Sequence, residues 1–277
     1  MIFRPVAVIL VALVFGGCAT NPGMKQLVVS HREKPVKVFL TEVPLTIEQS
    51  RLQAVFAPDR KAQSKAAIES GTEHAQSHAF DLMKTMLAKQ HSIAMVSVPD
   101  PEKGEVDQIL KKDLDHPLSQ ADADAIHDST GADALFRFRI TDYGLTPKSW
   151  RDGYIAFEVT STLAIAAAIA YTGSTAAHAA AGGYLAQETV EETTEAYAGF
   201  WGLDVVTRPV RLEAELIRLH PVGTIWETDE TGLSDIKLSR LTRSVPVSER
   251  DMQLDQSTNH AVDDISSDLR KSISESE

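Results

Sequence analysis

The sequence predicts an α/β (α+β) protein in which helices flank a mixed β-sheet. Segments that alternate apolar and polar residues are separated by segments with apolar residues at three- and four-residue spacing. The last two alternating segments lie close together and predict a hairpin, which one more helical pattern follows. A long run rich in alanine and glycine interrupts this order and predicts an inserted helical hairpin.

The first part of the chain predicts two strands and one long helix. Residues 36–40 alternate apolar and polar side chains, as in a strand with one face in the core. Residues 51–65 predict a loop or a short helix. Residues 66–89 place apolar side chains at helical spacing, and residues 92–98 form a short β-rich run that ends before a proline.

A shorter helix is predicted between Ser119 and Gly131. Ser119 can cap its first turn, where acidic residues favour the helix dipole, and Gly131 suits its C-terminal end. The segment that follows alternates three apolar with three polar side chains: Phe136, Phe138 and Ile140 against Arg137, Arg139 and Thr141. This alternation predicts a strand that is buried on one face only.

The last part of the chain predicts a hairpin and a helix. Residues 210–216 alternate apolar and charged side chains, and a turn at residues 220–223 leads into the second strand. Four apolar residues then form a helical stripe: Val262, Ile265, Leu269 and Ile273. We therefore expect a single α/β domain over residues 35–274, interrupted by a helical apolar insertion at 146–205.

The single cysteine of the chain, Cys18, follows a segment that is typical of a bacterial secretion signal. A charged start, an apolar run over residues 6–15 and two glycines precede it, and the run is too short to span a bilayer. The small-small-Cys ending resembles the lipobox of bacterial lipoproteins, although Phe15 replaces the usual leucine. We expect a signal peptide at 1–17, an acyl chain such as palmitate on Cys18 and a tether at 18–34; the alternative is an ordinary thiol.

The position after the cysteine and the charge of the chain limit the location and the partners. Ala19 stands where an aspartate would indicate retention in the inner membrane, so the resemblance implies the outer membrane, with the protein facing the periplasm. The chain has a formal net charge of −12. Nucleic-acid binding needs basic patches, so we expect no nucleic-acid partner.

The insertion differs from an ordinary soluble segment because residues 159–187 contain no acidic or basic residue. Aromatic residues lie on both sides of this run, as in the belts that anchor membrane segments. They are Trp150, Tyr154 and Phe157 before it, and Tyr197, Phe200 and Trp201 after it. These residues are our candidates for a membrane-contact or assembly site.

Two structures for the insertion remain open. Alanine, serine and threonine dilute its apolar character, and Tyr171 and Gly173 mark a break between two short helices, which favours a packed helical hairpin. Gly182 and Gly183 belong to a series of small residues that lets helices approach closely, as in membrane contact or the lining of an oligomeric pore.

The chain offers little that suggests catalysis. His74 and His78 have helical i, i+4 spacing and could hold a metal ion, but the sequence places no third ligand beside them. A solvated helix face explains the pair better. We find no nucleophile elbow and no phosphate loop, and we expect neither a cofactor nor a metal nor an enzyme.

Two segments carry a family resemblance: "TGADALFRFRITDYG" at 130–144 and "LEAELIRLHPVGTIWETD" at 212–229. With Cys18 and the element order, they resemble outer-membrane lipoproteins of the CsgG/LpoB group, whose fold is like the N-terminal domain of TolB. The resemblance implies a mixed sheet with flanking helices and a non-enzymatic role, as a ring-forming subunit or a partner-binding domain. Residues 146–205 depart from that group, because its curli channel crosses the membrane with β-hairpins.

These observations predict a lipid-anchored protein that works in cell-envelope assembly or export. It would bind other envelope proteins or assemble with itself as a homo-oligomer. Two alternatives stay open: an oligomeric pore or channel subunit that uses residues 158–196, and a metal-binding protein that uses the histidine pair.

Overall fold

The computed structural model describes residues 27, 34–45, 47–56, 65–96, 105–112, 114–154 and 199–274. The strands are β1 (Val36–Glu42), β2 (Ile93–Val96), β3 (Ala134–Tyr143), β4 (Val210–Arg218) and β5 (Gly223–Gly232). The helices are α1 (Gln49–Phe56), α2 (Lys65–Ala88), α3 (Glu105–Leu110), α4 (Gln120–Thr130) and α5 (Val247–Ser274), with a 3₁₀ turn at Leu238–Leu241. Residues 148–154 and 199–206 are also helical. The predicted α/β fold with a mixed sheet is confirmed, and the described elements follow the predicted order with one additional helix, α3. The predicted helical hairpin within the insertion lies outside the described residues at 155–198.

The five strands form one mixed sheet in the order β2-β1-β3-β4-β5. Strand β1 is parallel to both of its neighbours, whereas β3 with β4 and β4 with β5 are antiparallel. The crossovers from β1 to β2 and from β2 to β3 run in opposite directions along the sheet. Because such crossovers are right-handed, their helices cover opposite faces, α2 on one and α3 with α4 on the other.

The larger core lies between the sheet and the two long helices. The apolar residues of β1, β3 and β4 predicted to face inward pack there against α2 and α5. Close approach of α5 to the sheet depends on Gly232, where a Cβ atom would lie 1.9 Å from the carbonyl oxygen of Ser257. This position has no room for a larger residue.

The opposite face carries a smaller core under α3 and α4. Its centre includes Ile126 of α4, Leu135 of β3 and Ile217 of β4. Helix α4 has the ends that the sequence predicts: the Ser119 side chain accepts from the backbone of Asp122, and Gly131 closes the helix at φ 66°. Ser119 and Asp122 satisfy each other's backbone donors, so this carboxylate forms a capping box as well as favouring the helix dipole.

Asp124 and Gln120 of α4 bind the β4–β5 turn. Asp124 Oδ1 lies 2.9 Å from Nε2 of His220, and the Gln120 side chain accepts a hydrogen bond from the Val222 backbone. The hairpin turn is therefore held by residues that lie 96 and 102 positions away in the sequence.

The prediction that β3 is buried on one face only was wrong. Arg137 is only 1% exposed, and its Nε donates to Oε1 of Glu215 at 2.7 Å. Arg139 Nε donates to Glu213 at 2.8 Å, and its guanidinium also contacts Asp115. The backbone carbonyl oxygens of Lys112 and His116 accept from the Arg137 guanidinium. Cross-strand carboxylates and these carbonyl oxygens together allow the charges to be buried.

One partly buried carboxyl group lacks a full set of hydrogen-bond partners. Glu42 is the last residue of β1, and its Oε1 is buried without a hydrogen-bond partner in the described part of the chain. Burial raises the pKa of Glu42 to about 7, although a hydrogen bond from Gln76 partly opposes this effect. The folded state therefore holds a proton here that the unfolded chain releases near pH 4.5.

We predict that Arg137→Met destabilises the protein by about 3–5 kcal/mol, because it leaves the Glu215 carboxylate buried and uncompensated. Burial already raises the pKa of Glu215 even with Arg137 in place. The double variant Arg137→Met/Glu215→Leu should recover most of the loss. Urea unfolding of the wild type, the single variant and the double variant measures the free energy of unfolding of each. Equal stability of the single and double variants would contradict this explanation.

We predict that Glu42→Gln raises the free energy of unfolding by about 1–2 kcal/mol at pH 8, a value reduced for the partial solvent access of the group. Because the folded pKa is the higher one, wild-type stability falls between about pH 4.5 and pH 7, and the variant lacks that slope. The two proteins should therefore agree at pH 4. Glu73→Gln, at an exposed position of α2, is the control and should stay within about 0.5 kcal/mol of wild type.

Candidate assembly site at the base of the insertion

Four of the predicted insertion residues lie in the described part of the chain. Trp150 and Tyr154 belong to the helical residues 148–154, and Phe200 and Trp201 to the helical residues 199–206. The other candidates lie outside the described residues: Cys18, Phe157, Tyr171, Gly173, Gly182, Gly183 and Tyr197. The same holds for the signal peptide and for all of the tether except residues 27 and 34.

The insertion begins and ends at the same place on the sheet. The chain leaves β3 at Tyr143 and enters β4 at Val210, and these two residues face each other in the ladder. The Gly144 backbone donates to the carbonyl oxygen of Pro209 at 2.7 Å. Everything between them starts and finishes at this end of the sheet.

A network of hydrogen bonds around Asp204 joins the two sides of the insertion. Asp204 Oδ1 accepts from the backbone and the hydroxyl of Thr146, the latter at 2.6 Å. Its Oδ2 accepts from Arg151 at 2.7 Å, and Arg151 Nε donates to the Thr146 carbonyl oxygen at 3.1 Å. Thr146 is fully buried. These charge-assisted bonds fix residues 146–151 against the returning helix.

A second ion pair ties the same point to α1. Arg51 Nη2 lies 2.8 Å from Oδ1 of Asp142 and 3.0 Å from the carbonyl oxygen of Thr146. Asp142 also accepts from the backbone of Lys148 at 3.3 Å. Burial raises the pKa of Asp142, and the positive charge of Arg51 opposes this shift. Arg51 therefore stabilises the carboxylate form of Asp142.

Aromatic side chains cover the base of the insertion. The rings of Tyr154 and Phe200 meet edge to face, with centroids 5.7 Å apart, and the Arg151 guanidinium lies 5.3 Å from the Phe200 ring centroid. Trp150 and Trp201 are 43% and 57% exposed. Tyr154 and Phe200 therefore pair across the base of the insertion, and both tryptophans offer contact area to solvent or a partner.

A third segment, which the sequence analysis did not single out, packs against this base. Arg240 is fully buried and donates from Nη1 to the Val206 carbonyl oxygen at 2.7 Å, while its Nε pairs with Glu249 at 3.0 Å. Gln253 of α5 donates to the carbonyl oxygens of Val205 and Val206. We call the segments 146–154, 199–208 and 235–252 together the neck surface.

The histidine pair does not form a metal site in the described ranges. His74 and His78 have nearly parallel rings with centroids 6.0 Å apart, and His74 Nε2 lies 3.2 Å from Asp255 Oδ1. Across those ranges no three His, Cys, Asp or Glu side chains come together as a metal would require. The contact with Asp255 of α5 accounts for His74.

Among the helices of the described ranges, none combines the length and the apolar character that a membrane crossing needs.

Comparison with protein-family models and with curated proteins finds no match to this chain. The resemblance to the CsgG/LpoB group therefore stays a prediction. The neck surface places exposed aromatic rings beside a buried polar network.

We predict that Asp204→Ala destabilises the protein by about 2–4 kcal/mol, because buried donors of Thr146 and Arg151 lose their acceptor. Asp204→Asn keeps an acceptor for Thr146 and should lose about half as much. Thermal unfolding followed by circular dichroism measures both variants. Equal losses of stability in the two variants would contradict this account. The asparagine oxygen would then not replace the carboxylate oxygen that accepts from Thr146.

Proposed function

We propose that this is a lipid-anchored protein of the outer membrane that faces the periplasm and has no catalytic role. It binds envelope proteins or assembles with itself through the insertion at 146–205, in cell-envelope assembly or export. Cys18 carries the lipid.

The main support is the fixed base of the insertion. Ion pairs and hydrogen bonds hold its two ends together, while Trp150 and Trp201 remain exposed beside them. Exposed aromatic side chains on a rigid base are a common basis for protein contacts. The lipobox-like ending at Cys18 supports the anchor.

The uncharged run at 159–187 supports a second candidate, an oligomeric pore or channel subunit. In that case residues 158–196 span or line the membrane. Membrane attachment would then persist in high salt even without the lipid.

Fractionation of cells tests the anchor and separates the two candidates. We expect wild type in the outer membrane and Cys18→Ser in the soluble periplasm after a high-salt wash, which removes peripheral electrostatic binding. If Cys18→Ser stays with the washed membranes and becomes soluble only when residues 158–196 are deleted, the pore candidate is correct. The deletion is compatible with the fold, because it leaves a short linker of residues 155–157 and 197–198 between Tyr154 and Gly199, near rings that already touch.

Cross-linking in living cells with a lysine-reactive reagent tests the assembly role. We expect adducts with another copy or with an envelope protein, and we expect them to disappear when residues 158–196 are removed. A purified acyl-free protein that stays monomeric, with no adduct in cells, would contradict the proposal. Circular dichroism of the deletion variant is the control for folding.

A further inference from the structure

Strand β5 leaves a long free edge at one side of the sheet. It has 10 residues, and within the described part of the chain its backbone pairs only with β4. The strand at the other side of the sheet, β2, has only 4 residues. A free edge presents a row of unpaired N–H and C=O groups, which is the template that an extended peptide needs in order to add a strand.

The face of β5 that lies under α5 carries carboxylates without a paired cation. Glu230 of β5 is close to Asp264 and Asp268 of α5, and none of the three forms an ion pair within the described ranges. Burial raises the pKa of Glu230, and the charges of Asp264 and Asp268 add to this shift. Negative charge therefore accumulates on this side of the edge.

The opposite face of β5 is acidic at the edge as well. Asp229 pairs with Arg211 of β4, whereas Glu227 is exposed and has no cation partner in the part of the chain that the structure describes. The arginines of β3 on this face are already bound to Glu213 and Glu215. A cavity of about 440 Å³ beside Glu227 and Asp229 has room for a long basic side chain.

The charges along the free edge give an excess of carboxylate. Arg211 and Lys271, which is one turn beyond Asp268 on α5, are the cations beside five carboxylates, so the net charge is −3. The five belong to Glu227, Asp229, Glu230, Asp264 and Asp268. Arg218 lies further along, at the turn end of the hairpin, where it donates to the Pro221 carbonyl oxygen. The edge is therefore complementary to a basic segment.

We propose that the free edge of β5 binds an extended, basic segment of a partner protein as an additional strand. The segment's backbone pairs with β5, and its lysines and arginines, which alternate between the two faces, meet carboxylates on both sides. A second copy is a poor occupant, because two β5 edges would place like charges opposite each other.

This inference rests on the proposed function, in which the insertion holds an envelope protein. Gly232 at the end of β5 is opposite Val210, where the chain returns from the insertion. A partner that the insertion holds is therefore next to the free edge, and the edge takes up an extended part of it.

Peptide binding provides the test. The probe is a short labelled peptide that alternates lysine with valine, added to the full chain from residue 18 with Cys18→Ser, and fluorescence anisotropy measures the dissociation constant. One control peptide has glutamate in place of lysine. Another has proline in place of valine, which keeps the charge but prevents strand pairing. We expect the lysine–valine peptide to bind and both controls to bind much more weakly.

Two pairs of substitutions locate the binding site. Glu227→Gln/Asp264→Asn removes one exposed, unpaired carboxylate on each face of the edge. It should weaken peptide binding about fourfold, since a cross-strand pair of opposite charge contributes about twofold. The matched control Glu73→Gln/Asp81→Asn removes two exposed carboxylates of α2 and should change binding by less than about 1.5-fold.

Equal binding of the proline control, or equal binding by wild type and Glu227→Gln/Asp264→Asn, would overturn the inference. The carboxylates would then only protect the edge from unwanted pairing. Dimers that become more stable in Glu227→Gln/Asp264→Asn, measured by sedimentation, would assign the edge to a second copy and overturn it too.

The peptide assay can fail independently of the proposed function. It requires neither the acyl chain nor residues 158–196, so the deletion variant should bind the peptide as wild type does. Failure of peptide binding leaves the cell fractionation and cross-linking results unaffected. Conversely, failure of those experiments does not change peptide binding.

Discussion

The antiparallel pairing of β3 with β4 is the constraint on which the rest of the molecule depends. Tyr143 and Val210 are neighbours in this ladder, although they are far apart in the chain. Closing so long a loop costs conformational entropy, and the cost increases only slowly with loop length. The ladder, the bond between Gly144 and Pro209 and the network around Asp204 offset that cost together. An insertion at this point can therefore vary in length without disturbing the sheet.

The same pairing explains why charged residues can lie inside the domain. Arg137 faces Glu215 and Arg139 faces Glu213 across the ladder, so each buried guanidinium meets a carboxylate at a position that the register fixes. A buried ion pair contributes little net stability compared with apolar residues, but loss of one partner is costly. The pairs thus disfavour any other register between the two strands.

The sequence was sufficient for elements whose signal is local. The alternation in β1, β3 and β4 and the caps Ser119 and Gly131 depend on residues close in the chain, and they could be predicted. Burial of Arg137 could not, because a period of two residues separates the faces of a strand and does not show what covers them. The docking of Arg240 against Val206 likewise depends on contacts between distant segments. For the site, the aromatic residues were visible in the sequence, but Asp204 and residues 235–252 had no periodic or motif signal.

The direction of β1 and the burial of Leu27 bear on the proposed anchor at Cys18. Because β1 is parallel to β3, Val36 lies at the end of the sheet opposite Tyr143, roughly 35 Å away at about 3.3 Å per residue. Leu27 is buried in the larger core, so the reach of Cys18 from the domain is set by the residues between Cys18 and Leu27. They could extend roughly 30 Å at most, at about 3.3–3.6 Å per residue. In the proposed anchored state, this length sets the largest distance between the core at Leu27 and the bilayer.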